Sequence, residues 1–204
     1  KASREVGLPW GLADEAAWAA SWLRRFDVRG LDIIANALNA LSGASLSNVL
    51  PQTKQGDGQW TSRGDWLCPI CTGASLAASA ILLQAEAIST TAVRNPMLLV
   101  PFAAAASRQL NTPVTLEWSD ITVETDGDRL AAIGDLTVIR PGDILDAKCS
   151  IGGRMAPESL LTKTTRVPIQ LDTWRSLSDL AAQTFAPPSV EPNAQPDNNQ
   201  AESD

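Results

Sequence analysis

Histidine is absent from all 204 residues, and tyrosine with it. Without histidine, the commonest general acid/base and the usual partner of a serine or cysteine nucleophile are both missing. Any such chemistry must come from carboxylates or thiols. Cysteine is also scarce: Cys68, Cys71 and Cys149 are the whole complement. Three cysteines do not make the disulfide framework of a small secreted domain. A closed zinc site takes four Cys or His ligands, so these three would need a carboxylate or a partner chain to complete one, and no metal site is assigned. No apolar run free of polar interruption reaches the roughly eighteen residues that span a bilayer; the closest, residues 73–88, contains Gln84 and Glu86. Basic charge is in deficit, 16 Lys and Arg against 23 Asp and Glu, for a net charge of −7 and a pI near 4.6. That balance, with no basic stripe interleaved with aromatics, argues against a phosphate-backbone partner. Neither nucleic acid nor membrane is expected as a partner, and the cytoplasm is the expected compartment.

The chain is rich in tryptophan, with seven, and one of them opens the most distinctive stretch: Trp66-Leu-Cys-Pro-Ile-Cys-Thr-Gly73. A run dominated by Ala, Leu and Ile follows, and its length and propensity predict a helix over 74–88. Thr72 is the expected N-cap. A thiol at Cys71 would then sit at the positive end of the helix dipole, which favours thiolate. Three readings of Cys68-Pro-Ile-Cys71 stay open. Both thiols can be small core hydrophobes. Cys71 can be a thiolate nucleophile or redox centre with Cys68 as the resolving thiol, with Asp65 close by and Arg63 steadying an anion. Or the pair can contribute to a metal site. Burial of both thiols would decide for the core.

Ahead of the motif, residues 12–26 read as an amphipathic helix with Trp18, Trp22 and Phe26 on one face, acids early and bases late. Residues 31–41 form a second helix, and the turn at Gly30 makes the two an antiparallel hairpin. Residues 1–7 read as the end of a helix that starts upstream, stopped at Gly7. Residues 42–65 are loop-rich, and a long loop carrying Trp60 and Trp66 is a candidate ligand-binding element; the alternative is that both rings pin the loop to the core. With Arg63, Asp65 and Thr72 they make the candidate ligand-binding set; no cofactor is assigned.

After the central helix, residues 95–110 turn into a helix near Pro101. From Pro113 the period changes to two, predicting short strands at 114–118, 121–125, 130–133, 136–139 and 144–149, with a turn at Asp126-Gly127. Residues 166–171 read as a further edge strand, and 173–184 as a final helix after Asp172, with Trp174, Leu177, Leu180 and Ala181 inward. Residues 186–204, rich in Pro, Asn, Asp, Glu and Ser, read as a disordered acidic tail.

Gly7-Leu-Pro-Trp-Gly-Leu-Ala-Asp-Glu15, Cys68-Pro-Ile-Cys-Thr-Gly-Ala74 and Leu180-Ala-Ala-Gln-Thr-Phe-Ala-Pro187 together resemble a proteobacterial family filed as domain of unknown function 3726. The resemblance implies a coherent fold over the ordered chain and carries no activity. The family's tail after Ala-Pro holds Ser-Arg and a Gly/Ala run, where this chain has Ser189-Val-Glu-Pro.

These patterns predict one α+β domain over 1–185: a helical hairpin and a buried Ala-rich helix packed on an antiparallel β-meander, closed by a C-terminal helix. Three functions compete. The first is a non-catalytic binding or accessory subunit of a metabolic enzyme, with a protein partner or a second copy of the chain. The second is a small thiol-dependent enzyme on Cys68 and Cys71. The third is acid/base chemistry by carboxylates such as Asp57, Asp65, Asp143 and Asp146, against which stands the ordinary use of turn carboxylates in solvated loops.

Overall fold

The computed structural model describes residues 1–53, 58–165 and 167–183. A short helix, α1 (Ala2–Glu5), ends at Gly7, which takes the left-handed φ of +84° that a helix stop requires. α2 (Trp10–Arg24) and α3 (Gly30–Ser42) follow as the predicted hairpin. Gly30 is dictated by proximity: a Cβ there would lie 2.5 Å from the Ala20 carbonyl oxygen of α2. The aromatic stripe is core. Trp22 and Phe26 pack in a tilted pair at 4.8 Å between ring centroids, and Trp18 meets Phe102 edge-on at 5.8 Å.

A short α4 (Leu46–Val49) and two short strands, β1 (Gln52–Thr53) and β2 (Gln59–Thr61), occupy the segment expected to be loop. The predicted helix over 74–88 starts earlier and ends sooner. α5 spans Pro69–Ala78, with Cys68 as N-cap and Pro69 at its first position, where a missing N–H costs nothing. A 3-10 turn (Ala80–Gln84) follows, and the chain then enters β3 (Ile88–Arg94). The β-branched alternation Ile88, Thr90 and Val93 buries one side of this strand. α6 (Leu99–Leu110) carries Pro101 in its first turn, as expected.

β4 (Val114–Trp118), β5 (Ile121–Thr125) and β6 (Leu130–Ile133) are a meander, and β7 (Ile144–Ile151) is the long return strand. Residues 136–138 are a 3-10 turn rather than a strand. Asp135 takes the Thr137 amide at 2.9 Å and its hydroxyl at 2.7 Å, a local bond that competes with ladder pairing. α7 (Leu171–Gln183) begins inside the segment read as an edge strand, and that strand is not formed; Arg166 lies outside the described residues.

The α+β architecture holds, with N-terminal helices and a C-terminal helix. Among the described residues, however, the sheet has seven strands in the order β1-β2-β3-β7-β4-β5-β6. It is mixed: β2 runs parallel to β3, and the other neighbours are antiparallel. One face of the sheet, including Val114, Leu116, Trp118, Ile121 and Val123, packs with α2, α5 and α6 into a common apolar core. α7 lies against α1 and α3.

Candidate functional site

β2 delivers the cysteine motif to the core. After pairing with β3 at Trp60, the chain makes an excursion through residues 62–66 and rejoins β3 as a parallel bridge between Leu67 and Val93. The rejoining is fixed by the Leu67 amide donating to the Ala92 carbonyl at 2.9 Å and the Arg94 amide to the Leu67 carbonyl at 3.2 Å. The Cys68 amide then donates to the Val49 carbonyl at 2.8 Å. These bonds set Cys68 at the start of α5, beneath the helical hairpin.

The N-cap is Cys68, not Thr72. Its Sγ accepts the Cys71 amide at 3.5 Å, and Thr72 sits a turn inside the helix, its amide on the Cys68 carbonyl at 2.9 Å. The pKa shifts within the pair run opposite to the order expected from the helix dipole. The hydrogen bond from the Cys71 thiol holds the Cys68 pKa down against burial, with the amides of Cys71 and Ile70 helping. That same hydrogen bond, then burial and the nearby negative charges of Cys68 and Glu15, push Cys71 far up. Cys149, paired with Ile88 across β7 and β3, is pushed up to about 12 by burial. All three are free thiols and all are buried; Cys68 is 0% exposed and Cys71 4%. No group of three or more His, Cys, Asp or Glu side chains able to hold a metal occurs among the described residues.

The remaining candidates separate. Trp60 is buried in β2. Trp66 is half-buried, with the Arg94 guanidinium 5.7 Å from its ring centroid. Arg63 and Asp65 are exposed on the excursion, which Gly64 ties to α4 through the Asn48 carbonyl at 2.7 Å. Thr72 is 1% exposed, and its Oγ1 has no hydrogen-bond partner. Two of the carboxylates brace the backbone: Asp143 accepts the Arg140 amide at 2.7 Å, and Asp146 the Ala92 amide at 2.8 Å. Asp57 lies outside the described residues.

A further concavity lies elsewhere among the described residues. A groove of about 740 Å³ opens between α1, the α2–α3 hairpin and α7, lined by Ala17, Ala20, Ile34, Leu38, Trp174 and Leu177 among others. Trp174, expected inward, is 58% exposed and forms part of its wall. The sequence signal for it was the run of small residues on facing helices: Ala17, Ala20 and Ser21 on α2, and Ser178, Ala181 and Ala182 on α7. Small side chains read as ordinary helix formers, so nothing in the pattern distinguished an open groove from a filled one.

Fold and site thus define an α+β protein with a buried dithiol and an apolar helical groove. Residues 1–62 match the family described as "Protein of unknown function (DUF3726)". The match runs from α1 to β2 and includes the Gly7–Glu15 segment; the cysteine motif and α7 lie beyond it. No curated protein and no solved structure matched the chain.

Proposed function

We propose that the protein is a non-catalytic binding or accessory protein, the subunit of a metabolic enzyme, that receives an apolar helix of a partner polypeptide in the groove between the α2–α3 hairpin and α7. The observation that carries this is the groove's lining. Its floor is Ile34 and Leu38, and its sides are alanines and serines that let another backbone approach closely. Trp174 stands at its wall with more than half of the residue's surface in solvent, the residue type that most often anchors an interface. A small, apolar, concave strip between helices suits an amphipathic helix offering i, i+3, i+4 and i+7 anchors. The cytoplasm is the proposed compartment; no helix among the described residues is long and apolar enough to cross a membrane.

The test places a photo-crosslinker, in separate variants, at Ala17 and at Ala182, both exposed, and at Glu117 on the sheet's open face as control. One stoichiometric partner crosslinked from both groove positions and not from Glu117, and lost from the copurified complex in Ala17→Glu, is the expected outcome. Equal crosslinking from Glu117, or a complex indifferent to Ala17→Glu, overturns the reading.

A second reading keeps one specific observation in its favour. A thiol-dependent enzyme would use Cys68 as the thiolate, since the Cys71 thiol and amide both donate to its sulfur. Cys71 would be the resolving thiol, the reverse of the order expected from sequence. Against it stands complete burial of Cys68, because a reactive thiol needs both thiolate character and access.

A further inference from the structure

We infer that a single internal water binds between α5 and the centre of the sheet, held by Thr72, Thr90 and Cys149. A buried cavity of about 10 Å³ lies there, lined by Thr72 and Leu76 of α5, Leu99 of α6, and residues of β3, β4 and β7 that include Thr90 and Cys149. Every one of these residues is at most 5% exposed. The volume is at the lower end of the roughly 10–15 Å³ that one water requires, so the site takes one and not two.

The polar groups are what distinguish it from a dry packing gap. Thr72 is 1% exposed and its Oγ1 lacks any hydrogen-bond partner, and a buried hydroxyl left so is costly and rare. Thr90 spends its own proton on the Ala147 carbonyl at 3.1 Å, which leaves its oxygen lone pairs free to accept. Cys149, pushed up to about 12 by burial, is a protonated thiol at neutral pH and a weak donor. One water matches all three: it accepts from the Thr72 hydroxyl and the Cys149 thiol, and donates to Thr90. It satisfies Thr72 and joins α5 to β3 and β7, elements brought together from distant parts of the chain. The cysteine nearest this site thereby has a polar role distinct from the Cys68–Cys71 pair.

The experiment is a crystal structure of the full chain at a resolution that orders internal waters, with water–protein NOEs in solution. The expected result is one peak at about 2.7–2.8 Å from Thr72 Oγ1, the usual O–H···O separation. In solution, NOEs should run from water to the Thr72 and Thr90 methyls. Thr72→Val should lose both peak and NOE, and Thr72→Ser should keep them. No peak and no NOE in the native protein, or a peak that survives in Thr72→Val, overturns the assignment. The native measurements decide the matter even if Thr72→Val fails to fold.

Discussion

Gly73 shows how much one missing methyl group can hold. It lies inside α5, not ahead of it, and a Cβ there would run into the ring of Phe102 on α6. Helix propensity alone would make Gly73→Ala favourable by about 1 kcal/mol. The clash reverses the sign, since overpacking a closed core costs about 1–3 kcal/mol. Urea denaturation of Gly73→Ala should therefore show a lower midpoint than the native protein with an unchanged slope. Cys149 makes a second prediction at this scale. Its folded pKa is raised by burial to about 12 from the ordinary thiol range, so the folded state holds the proton more tightly than the unfolded chain. Its contribution is complete below pH about 9 and is lost as pH rises towards 12. One such thiol steepens the fall in stability by up to about 1.4 kcal/mol per pH unit in that window. Comparing pH-dependent denaturation of the native protein and Cys149→Ala should show a shallower alkaline decline in the variant. Cys71 shifts in the same direction and Cys68 in the opposite one, so the difference between variant and native, not the absolute slope, reports Cys149.

Among elements, β3 is the organising strand, joined to β2 on one side and β7 on the other. Its register breaks between Thr90 and Val93, where Ala92 takes a φ of +56°. That bulge is held from β7 by Asp146, whose carboxylate accepts the Ala92 amide at 2.8 Å. The Ala92 carbonyl in turn receives Leu67, so the bulge is also what seats the start of the cysteine motif. Asp146 is exposed to water, so Asp146→Ala should cost about 1 kcal/mol, the usual net contribution of a hydrogen bond. Hydrogen exchange at the Ala92 and Leu67 amides should accelerate more than exchange in β4 and β5. Uniform acceleration across the sheet would count against a local role. The α+β class, the α2–α3 hairpin, α6 and the β4–β5–β6 meander were legible because each carries its own period and turn signals over several residues. β3 was not, because its alternation is short and flanked by apolar segments that merge with the helix pattern before it. β1 and β2 are two and three residues long, too short for any period; β2 is held by pairing with β3, and β1 by pairing with β2.

At the scale of the molecule, the balance between the two functional readings rests on access to the core. With Cys68 and Cys71 both buried, alkylation of the native protein should be slow at neutral pH for all three thiols and released together by denaturant, as expected where labelling requires opening of the core. Fast labelling of Cys68 alone, with a midpoint well below about 8.5, would shift the proposal from a binding protein to a thiol enzyme. The groove carries the complementary expectation. Ala17 is exposed, so Ala17→Glu should leave the unfolding free energy within the roughly ±0.5 kcal/mol typical of surface substitutions while blocking the groove. A large loss of stability would show that the groove is closed in the native protein and that its residues serve the core.

What the sequence determined by itself were features encoded within one segment: helix and strand periods, the turn at Asp126-Gly127, the stop at Gly7, the acidic balance and the absence of imidazole chemistry. The tail over 186–204 was read on the same compositional ground and lies outside the described residues. Tertiary structure alone decided everything that depends on what faces what. The Cys68-Pro-Ile-Cys71 spacing is equally compatible with an exposed redox pair and with a core N-cap. Only the bridge from Leu67 to β3, the cover of α2 and the Cys71 amide on Cys68 Sγ fix it as buried, with Cys68 the thiol whose pKa is held down. The same alanines that specify helix in α2 and α7 line a groove only because the two helices lie on either side of it. Burial, electrostatics and concavity are sums over residues distant in the chain, and no local pattern contains them.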